Sequence, residues 1–325
     1  MTVTAPLEVI VIGAGPIGAG VARAVAARRG LALVAVADID PAMQGQLVAG
    51  VAIRPDIPPP SEERRVAVLT TTSSLAALEP LLHECFARGM PVVSTCEELC
   101  WPWEQPELAR RLDAAARHAG VAVLGTGVNP GFVMDALPLA LSAPCAEVRA
   151  VRVERIQDAS TRRRPFQDKV GVGRDPDDVR VALEAGRAGH VGLQESARMV
   201  ATTLGFAVDA FAEERRVIVA GEAVTRGGRR VEPGQVLGVE QIGRATRDGV
   251  VVVELIFRAT FGEPAGHDRV VLEGTPRLDL RIDGGLPGDV ATCAIVANAI
   301  PVVVDAAPGL RTMADVPLIV APGVG

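Results

Sequence analysis

Leu7-Glu8-Val9-Ile10-Val11-Ile12-Gly13-Ala14-Gly15-Pro16-Ile17-Gly18 decides the reading of this chain, together with Asp38, twenty residues beyond Gly18. Leu7 to Ile12 is a short β-branched run stopped by glycine, the pattern of a buried parallel strand. Ala19 to Arg29 has helical composition, and a second apolar run, Leu31 to Ala37, ends at Asp38. Strand, glycine turn, helix, strand and acid at this spacing form the dinucleotide fingerprint. Gly13 permits the tight turn, Gly15 lets backbone approach a pyrophosphate, and Gly18 allows close helix–strand packing. Pro16 and Ile17 carry the turn into the helix, whose N-terminal N–H groups and dipole favour phosphate. Asp38 is positioned for the adenosine ribose hydroxyls. Ile39-Asp40-Pro41-Ala42-Met43 offers no arginine for a 2′-phosphate, which favours NAD. NADP stays open to an arginine arriving from farther along the chain.

Working outward, strands and helices keep alternating. Arg65 to Leu69 reads as a strand leading into Thr70-Thr71-Thr72-Ser73-Ser74, after a proline-rich connection from Pro55 to Pro60. Leu75 to Arg88 has helical spacing and stops at Gly89. Pro91-Val92-Val93-Ser94-Thr95 is another strand, running into Cys96-Glu97-Glu98-Leu99. A helix over Glu107 to His118 and a strand over Val121 to Leu124 complete the series, which ends at Asn129-Pro130-Gly131-Phe132. This order predicts a doubly wound parallel sheet. Beyond Asn129 the segments 148–156, 216–220, 236–242, 249–260 and 270–272 alternate or are β-branched, which predicts a mostly antiparallel sheet. Helices are expected at 176–188 and 193–204. A last one, from Asp289, is expected to stop at Pro301 and to pack on the first domain. The expected class is α/β: a Rossmann doubly wound sheet with a second α+β domain. Residues 1–130 with 290–325 form the first domain and 131–289 the second.

The 325 residues suit two domains, and 49% hydrophobic with 22% charged residues excludes a disordered chain. A net charge of -6 argues against nucleic acid. No apolar run reaches the ~18 residues of a membrane span, and Met1 to Glu8 lacks the basic start of a signal peptide. Five cysteines, an odd number, fit a reducing compartment, so a cytoplasmic protein is expected. Cys96 and Cys100 lack further ligands at zinc spacing, and no metal is expected. Lys169 is the single lysine among 33 basic residues.

Several stretches together resemble one family. They are the glycine loop, Ser94-Thr95-Cys96-Glu97-Glu98-Leu99, Asn129-Pro130-Gly131-Phe132, Arg163-Arg164-Pro165-Phe166-Gln167-Asp168-Lys169-Val170-Gly171, Gly189-His190-Val191-Gly192-Leu193, Gly288-Asp289-Val290-Ala291-Thr292 and Pro308-Gly309-Leu310. The resemblance is to the 2,4-diaminopentanoate dehydrogenases and native NAD(P)-dependent amine dehydrogenases, relatives in fold of dihydrodipicolinate reductase. It implies a Rossmann domain and a substrate-binding and dimerisation domain with the active site between them. It also implies a homodimer and reversible oxidative deamination of a small amine or diamino acid to a carbonyl compound and ammonia. Dihydrodipicolinate reductases carry a histidine pair where this chain has Thr161-Arg162-Arg163-Arg164, which argues against dipicolinate chemistry.

Hydride transfer from an amine carbon needs a base for the substrate ammonium, because the protonated amine cannot release hydride. Glu97 and Glu98 follow a Rossmann strand at its carboxyl end, where ligands of open α/β sheets bind. One is expected to work as base and its neighbour to be structural; the sequence does not say which. Thr71, Thr72, Ser94, Thr95 and Asn129 are expected along the cofactor groove, with turn capping the equal alternative for Thr71 and Thr72. Phe132, Arg163, Arg164, Gln167, Lys169 and His190 are the expected substrate residues: an aromatic wall, cations for a substrate carboxylate, and a histidine set between glycines. A dihydrodipicolinate reductase-like imine reductase and a non-catalytic NAD(P) redox sensor are the competing readings.

Overall fold

The computed structural model describes residues 5–61 and 63–323. The first four residues of the Met1–Glu8 segment, and the outermost ends of the expected first domain, lie outside this range. The chain divides into two units: one runs up to Phe132 and resumes at Pro287, and the other spans Val133–Leu286. The expected divisions at 130/131 and 289/290 lie two and three residues away.

In the first unit, β1 (Leu7–Ile12), α1 (Pro16–Ala26) and β2 (Leu31–Ala37) follow the expected order. Two short strands then appear that the sequence did not announce, β3 (Leu47–Val48) and β4 (Val51–Arg54). β5 (Arg65–Leu69), α2 (Leu75–Ala87), β6 (Val92–Ser94), α3 (Pro106–His118) and β7 (Ala122–Gly125) complete the alternation. The sheet runs β16-β7-β6-β5-β1-β2-β4-β3, where β16 is Gly309–Arg311 near the chain's end. All of these pairings are parallel except β3 with β4. Period-two alternation divides β1 between two cores. Ile10 and Ile12 pack with Leu78 and Leu82 of α2 and Leu112 of α3. Val9 and Val11 pack with Val21 and Val25 of α1 and with Val296 and Ile300 of the last helix. Apolar side chains on both faces are what a doubly wound sheet requires.

In the second unit, α4 (Ala136–Leu141), β8 (Glu147–Asp158), α5 (Arg164–Lys169), α6 (Pro176–Glu184) and α7 (Leu193–Thr203) come first. They are followed by β9 (Ala210–Val219), β10 (Val224–Arg226), β11 (Arg229–Val231), β12 (Val236–Arg247), β13 (Val250–Thr260), β14 (His267–Thr275) and β15 (Leu278–Asp283). The six-stranded order is β15-β14-β8-β13-β12-β9, antiparallel except where β13 meets β8. The segment Arg164–Lys169 is a short helix. Pro165 stands in its first turn, where a missing N–H costs nothing.

The chain then returns to the first unit as α8 (Gly288–Asp305). Pro301 does not end this helix, contrary to expectation. The ring removes one internal hydrogen bond, but Val296, Ala297, Ala299, Ile300 and Val303 are all fully buried around it, and that packing holds the helix together. At 18 residues α8 is the one described helix long and apolar enough to cross a membrane, but its buried face belongs to the α1-side core.

Candidate active site

The glycine loop is held by backbone geometry that excludes side chains. Gly13 has a φ of 97° and donates its N–H to Ala37 O at 2.8 Å. Thr70 Oγ1 donates to Gly13 O at 2.8 Å. A Cβ on Gly18 would overlap the Gly13 carbonyl oxygen and lie 2.5 Å from Thr70 Oγ1. Gly15 differs: a Cβ there would meet nothing within 4 Å, because the position faces open space. Pro16 and Ile17 form the first turn of α1, whose N-terminus has no side-chain cap and no acidic residue. An open cradle beside uncapped N–H donors suits a pyrophosphate. Asp38 Oδ2 accepts the Ala14 N–H at 2.6 Å and Oδ1 accepts the Asp40 N–H at 2.9 Å. Each oxygen keeps a lone pair for a ribose hydroxyl. These residues fit a dinucleotide.

Along the carboxyl edge of the sheet, Thr71 is exposed, while Thr72 Oγ1 accepts the Ser74 N–H at 3.1 Å and so shapes the turn into α2. Ser94 is corrected to a structural residue. It is buried, and its hydroxyl donates to Leu69 O and accepts the Cys96 N–H, both at 3.1 Å, so its proton is committed to the fold. Thr95 is half-buried and donates its N–H to Leu69 O. Asn129 is half-buried beyond β7, where Val128 N–H meets Thr292 Oγ1 at 3.2 Å. Phe132 is half-buried and belongs to neither of the two apolar clusters described for this unit.

The two glutamates separate clearly. Glu98 Oε2 accepts the Leu75 N–H at 2.7 Å and the Gln105 side-chain amide at 2.8 Å. It therefore supplies an acceptor at the start of α2, where orphan N–H groups need one, and it ties two loops together. Of the two candidate carboxylates, it is the one whose Oε2 is tied into the fold. Glu97 is half-buried, and its carboxylate takes no hydrogen bond or ion pair among the described residues. The turn that carries it rests on Gly125 at the end of β7, where a Cβ would lie 2.6 Å from Leu99 and Cys100 backbone. Neighbouring Cys96 is a buried thiol pushed up to about 12, first by burial.

Within the second unit, Arg163 stands at the N-cap position of α5 without a side-chain capping hydrogen bond, and exposed Arg164 pairs with Asp168 at 3.5 Å. Gln167 is corrected to a structural residue: it is buried, donates to Arg162 O at 2.9 Å and accepts from Arg229 at 2.6 Å. Lys169 is exposed, and its ammonium forms no hydrogen bond or ion pair among the described residues. Its carbonyl accepts the Gly189 N–H at 3.1 Å, which links α5 to the His190 turn. His190 stacks on Phe257 at 4.7 Å between ring centroids. Burial, then the charges of Lys169 and Arg155, push its imidazole down to about 3, so it is neutral near pH 7.

Sequence reasoning missed the groups that hold this turn. Gln241 Oε1 accepts the His190 N–H at 2.6 Å, and its Nε2 donates to His190 O at 2.9 Å and to Glu213 at 2.7 Å. Arg155 and Asp268 form a buried pair at 2.7 and 2.8 Å, and both bond to Leu286 backbone. A polar residue at an inward position of an alternating strand was the available signal for each. No group of three or more His, Cys, Asp or Glu suited to a metal occurs among the described residues.

An α/β unit with an open glycine cradle, an acid at the second strand's end and an uncommitted carboxylate on the sheet's carboxyl edge defines a Rossmann-fold oxidoreductase. The family model for the 2,4-diaminopentanoate dehydrogenase C-terminal domain matches residues 132–322, and the chain belongs to that family. It is 28% identical, over 96% of its length and 94% of the relative's, to 2,4-diaminopentanoate dehydrogenase of Acetoanaerobium sticklandii. It is 29% identical to an amine dehydrogenase of Streptomyces virginiae, over 68% of this chain and 66% of that one. Among solved structures, the amine dehydrogenase from Mycobacterium smegmatis has the same fold, with a TM-score of 0.80, 24% identity and 97% of both chains covered.

Proposed function

We propose that this protein is an NAD(P)-dependent amine dehydrogenase that interconverts a small amine or diamino acid with the carbonyl compound and ammonia. The observation that carries the mechanism is the division between the adjacent glutamates: Glu98 is committed to α2, and Glu97 is half-buried and uncommitted at the end of β6. Glu97 binds the substrate ammonium and takes one of its protons, which leaves a neutral amine whose nitrogen lone pair can drive hydride from the adjacent carbon. A nicotinamide dinucleotide held by Asp38, Gly15 and the α1 N-terminus would supply the hydride acceptor. Water then adds to the resulting C=N carbon and loses one proton to solvent; Glu97 returns its proton to the nitrogen, which departs as ammonia while the carbinol O–H gives up its proton to solvent and becomes the carbonyl. In reverse, the same carboxylate handles the same protons during amination.

Asp38, Gly15 and the α1 N-terminus hold the dinucleotide in this reading, with Thr71, Thr95 and Asn129 along the groove and Phe132 as a substrate wall. Lys169, Arg163 and Arg164 form the cationic substrate set, with His190 as its neutral neighbour. Lys169 is the member with no ion pair among the described residues, which suits it to a substrate carboxylate. A homodimer assembled through the second unit and a cytoplasmic location complete the reading. The first rests on the family resemblance, and the second is supported by five unbridged cysteines.

The test is reduced-cofactor absorbance with NAD and a panel of primary amines and diamino acids. Glu97→Gln is expected to lower kcat/KM by about 10²–10⁴, whereas Glu98→Gln, whose amide oxygen can still accept both N–H groups, retains most of the turnover. Dinucleotide binding without turnover on any amine would instead establish a redox sensor. Turnover unaffected by Glu97→Gln would remove the assigned base.

A further inference from the structure

We propose that Arg54 receives the 2′-phosphate of NADP(H), so that the nucleotide site accepts both dinucleotides, and that Asp56 competes with the phosphate for its guanidinium. The inference rests on the dinucleotide reading above and adds a selectivity determinant to it. No arginine follows Asp38 in sequence, but the short β4 supplies one from the side. Ile53 and Arg54 pair in parallel register with Val36 and Ala37. Asp38 N–H donates to Arg54 O at 2.9 Å, so the two backbones touch where the ribose is expected.

The side chains leave the strand tips in opposite directions. Ile53 is buried in the α1-side core, so Arg54 turns to the other face, and Asp38 reaches toward the glycine loop on the α1 side. The ribose edge is thus flanked by an acid on one side and a long cationic arm on the other. Asp38 is already engaged by two backbone N–H groups, whose dipoles offset part of the charge that would repel a phosphate. Arg54 is half-exposed, and its one ion pair among the described residues, to the more exposed Asp56, spans 3.7 Å. Exposed pairs of this length are weak, and a dianionic phosphate offering two acceptors to one planar guanidinium displaces them. Asp38, Asp40 and Asp56 together keep the local field negative, so NAD binds more tightly and NADP is the second cofactor.

The experiment is calorimetric titration of the full-length protein with NADH, NADPH, 5′-AMP and adenosine 2′,5′-bisphosphate, none of which requires the amine substrate. In Arg54→Ala the ratio of NADPH to NADH dissociation constants rises by about tenfold or more, as loss of a charge-assisted pair implies. The bisphosphate-to-AMP ratio moves with it. Arg54→Lys retains part of the preference, and Asp56→Asn shifts both ratios toward the phosphorylated ligand. Unchanged ratios in Arg54→Ala, or a wild-type protein that binds NADH but no NADPH, overturn the inference and leave the dehydrogenase reading standing. A wild-type protein that binds neither dinucleotide overturns both.

Discussion

Two alanine substitutions in the glycine loop should fail in opposite ways. Gly18 lies in the first turns of α1, and a methyl group there would overlap Gly13 O and press on Thr70 Oγ1 at 2.5 Å. The first obstacle is backbone, and the second is anchored to Ile12 and Gly13 carbonyls at 3.2 and 2.8 Å. Neither can rotate aside. Overpacking of this kind costs about 3 kcal/mol, or roughly 6–12 °C in Tm for a unit of this size. Gly15 has a φ of -57° and a ψ of 179°, which alanine adopts without strain, and its Cβ would face open space. Gly15→Ala should therefore leave the ligand-free Tm unchanged or slightly raised, since alanine restricts the unfolded chain. It should nevertheless weaken NADH by about tenfold or more, because the methyl group fills the space assigned to the pyrophosphate. Thermal melts with and without NADH separate the two effects. At 100 times the wild-type Kd, NADH stabilises the wild type by about 2.7 kcal/mol and a tenfold-weakened variant by about 1.4 kcal/mol. Wild-type NADH affinity in Gly15→Ala would show that the loop is not the phosphate cradle. A wild-type melt for Gly18→Ala would refute the close-packing argument.

The buried Arg155–Asp268 pair should show the asymmetry of desolvated charges. Arg155→Met or Asp268→Leu alone costs about 3–5 kcal/mol in urea unfolding, and the double substitution recovers most of the loss; additive single costs would refute this. The neutral His190 makes stability depend on pH with a defined sign. Its folded value of about 3 lies below the ordinary 6.5, so the unfolded chain binds a proton that the folded chain refuses. Stability is present above about 6.5 and falls as pH drops toward 3. Urea midpoints at intervals between pH 7 and 5 should decline in the wild type and flatten in His190→Phe; identical slopes would mean that the imidazole titrates normally.

Much of the first unit was legible because its signals are local. β1, β2 and β5 were read to the residue, since each is an apolar run bounded by glycine, proline or charge. β3 and β4 were not legible. They are two and four residues long, and they are joined through Ala49 and Gly50, both at positive φ, so no alternation has room to develop. That omission also hid Arg54, whose relation to Asp38 exists only through strand pairing. In the second unit β12 and β14 extend well beyond the runs that announced them, because charged residues on the sheet's other face, such as Arg244 against Glu254 at 2.8 Å, are satisfied by cross-strand partners. Ser94 and Gln167 resembled ligand residues because their types suit that role. What commits them to the fold is contact with Leu69 and Arg229, many residues distant in sequence.

The paired glutamates show why the proposed base could not be chosen from sequence, and why both residues bear on that proposal. Glu98 bonds to Leu75, 23 positions away, and to Gln105, so its role depends on where α2 begins. That bond does more than cap a helix. Glu98 N–H also donates to Ser73 O at 3.3 Å, and Cys100 N–H returns to Glu97 O at 3.1 Å, so the backbone on both sides of Glu97 is fixed to neighbouring elements. Gly125 removes the one side chain that would push this turn away from β7. Glu97 consequently sits at a φ of -61° and a ψ of -44° that three elements enforce, and only its side-chain torsions remain to be set. A base must be placed before the substrate arrives if its placement is not to cost binding energy. With Glu97 as the proposed base, it is the adjacent acid, acting through hydrogen bonds rather than chemistry, that would do the placing.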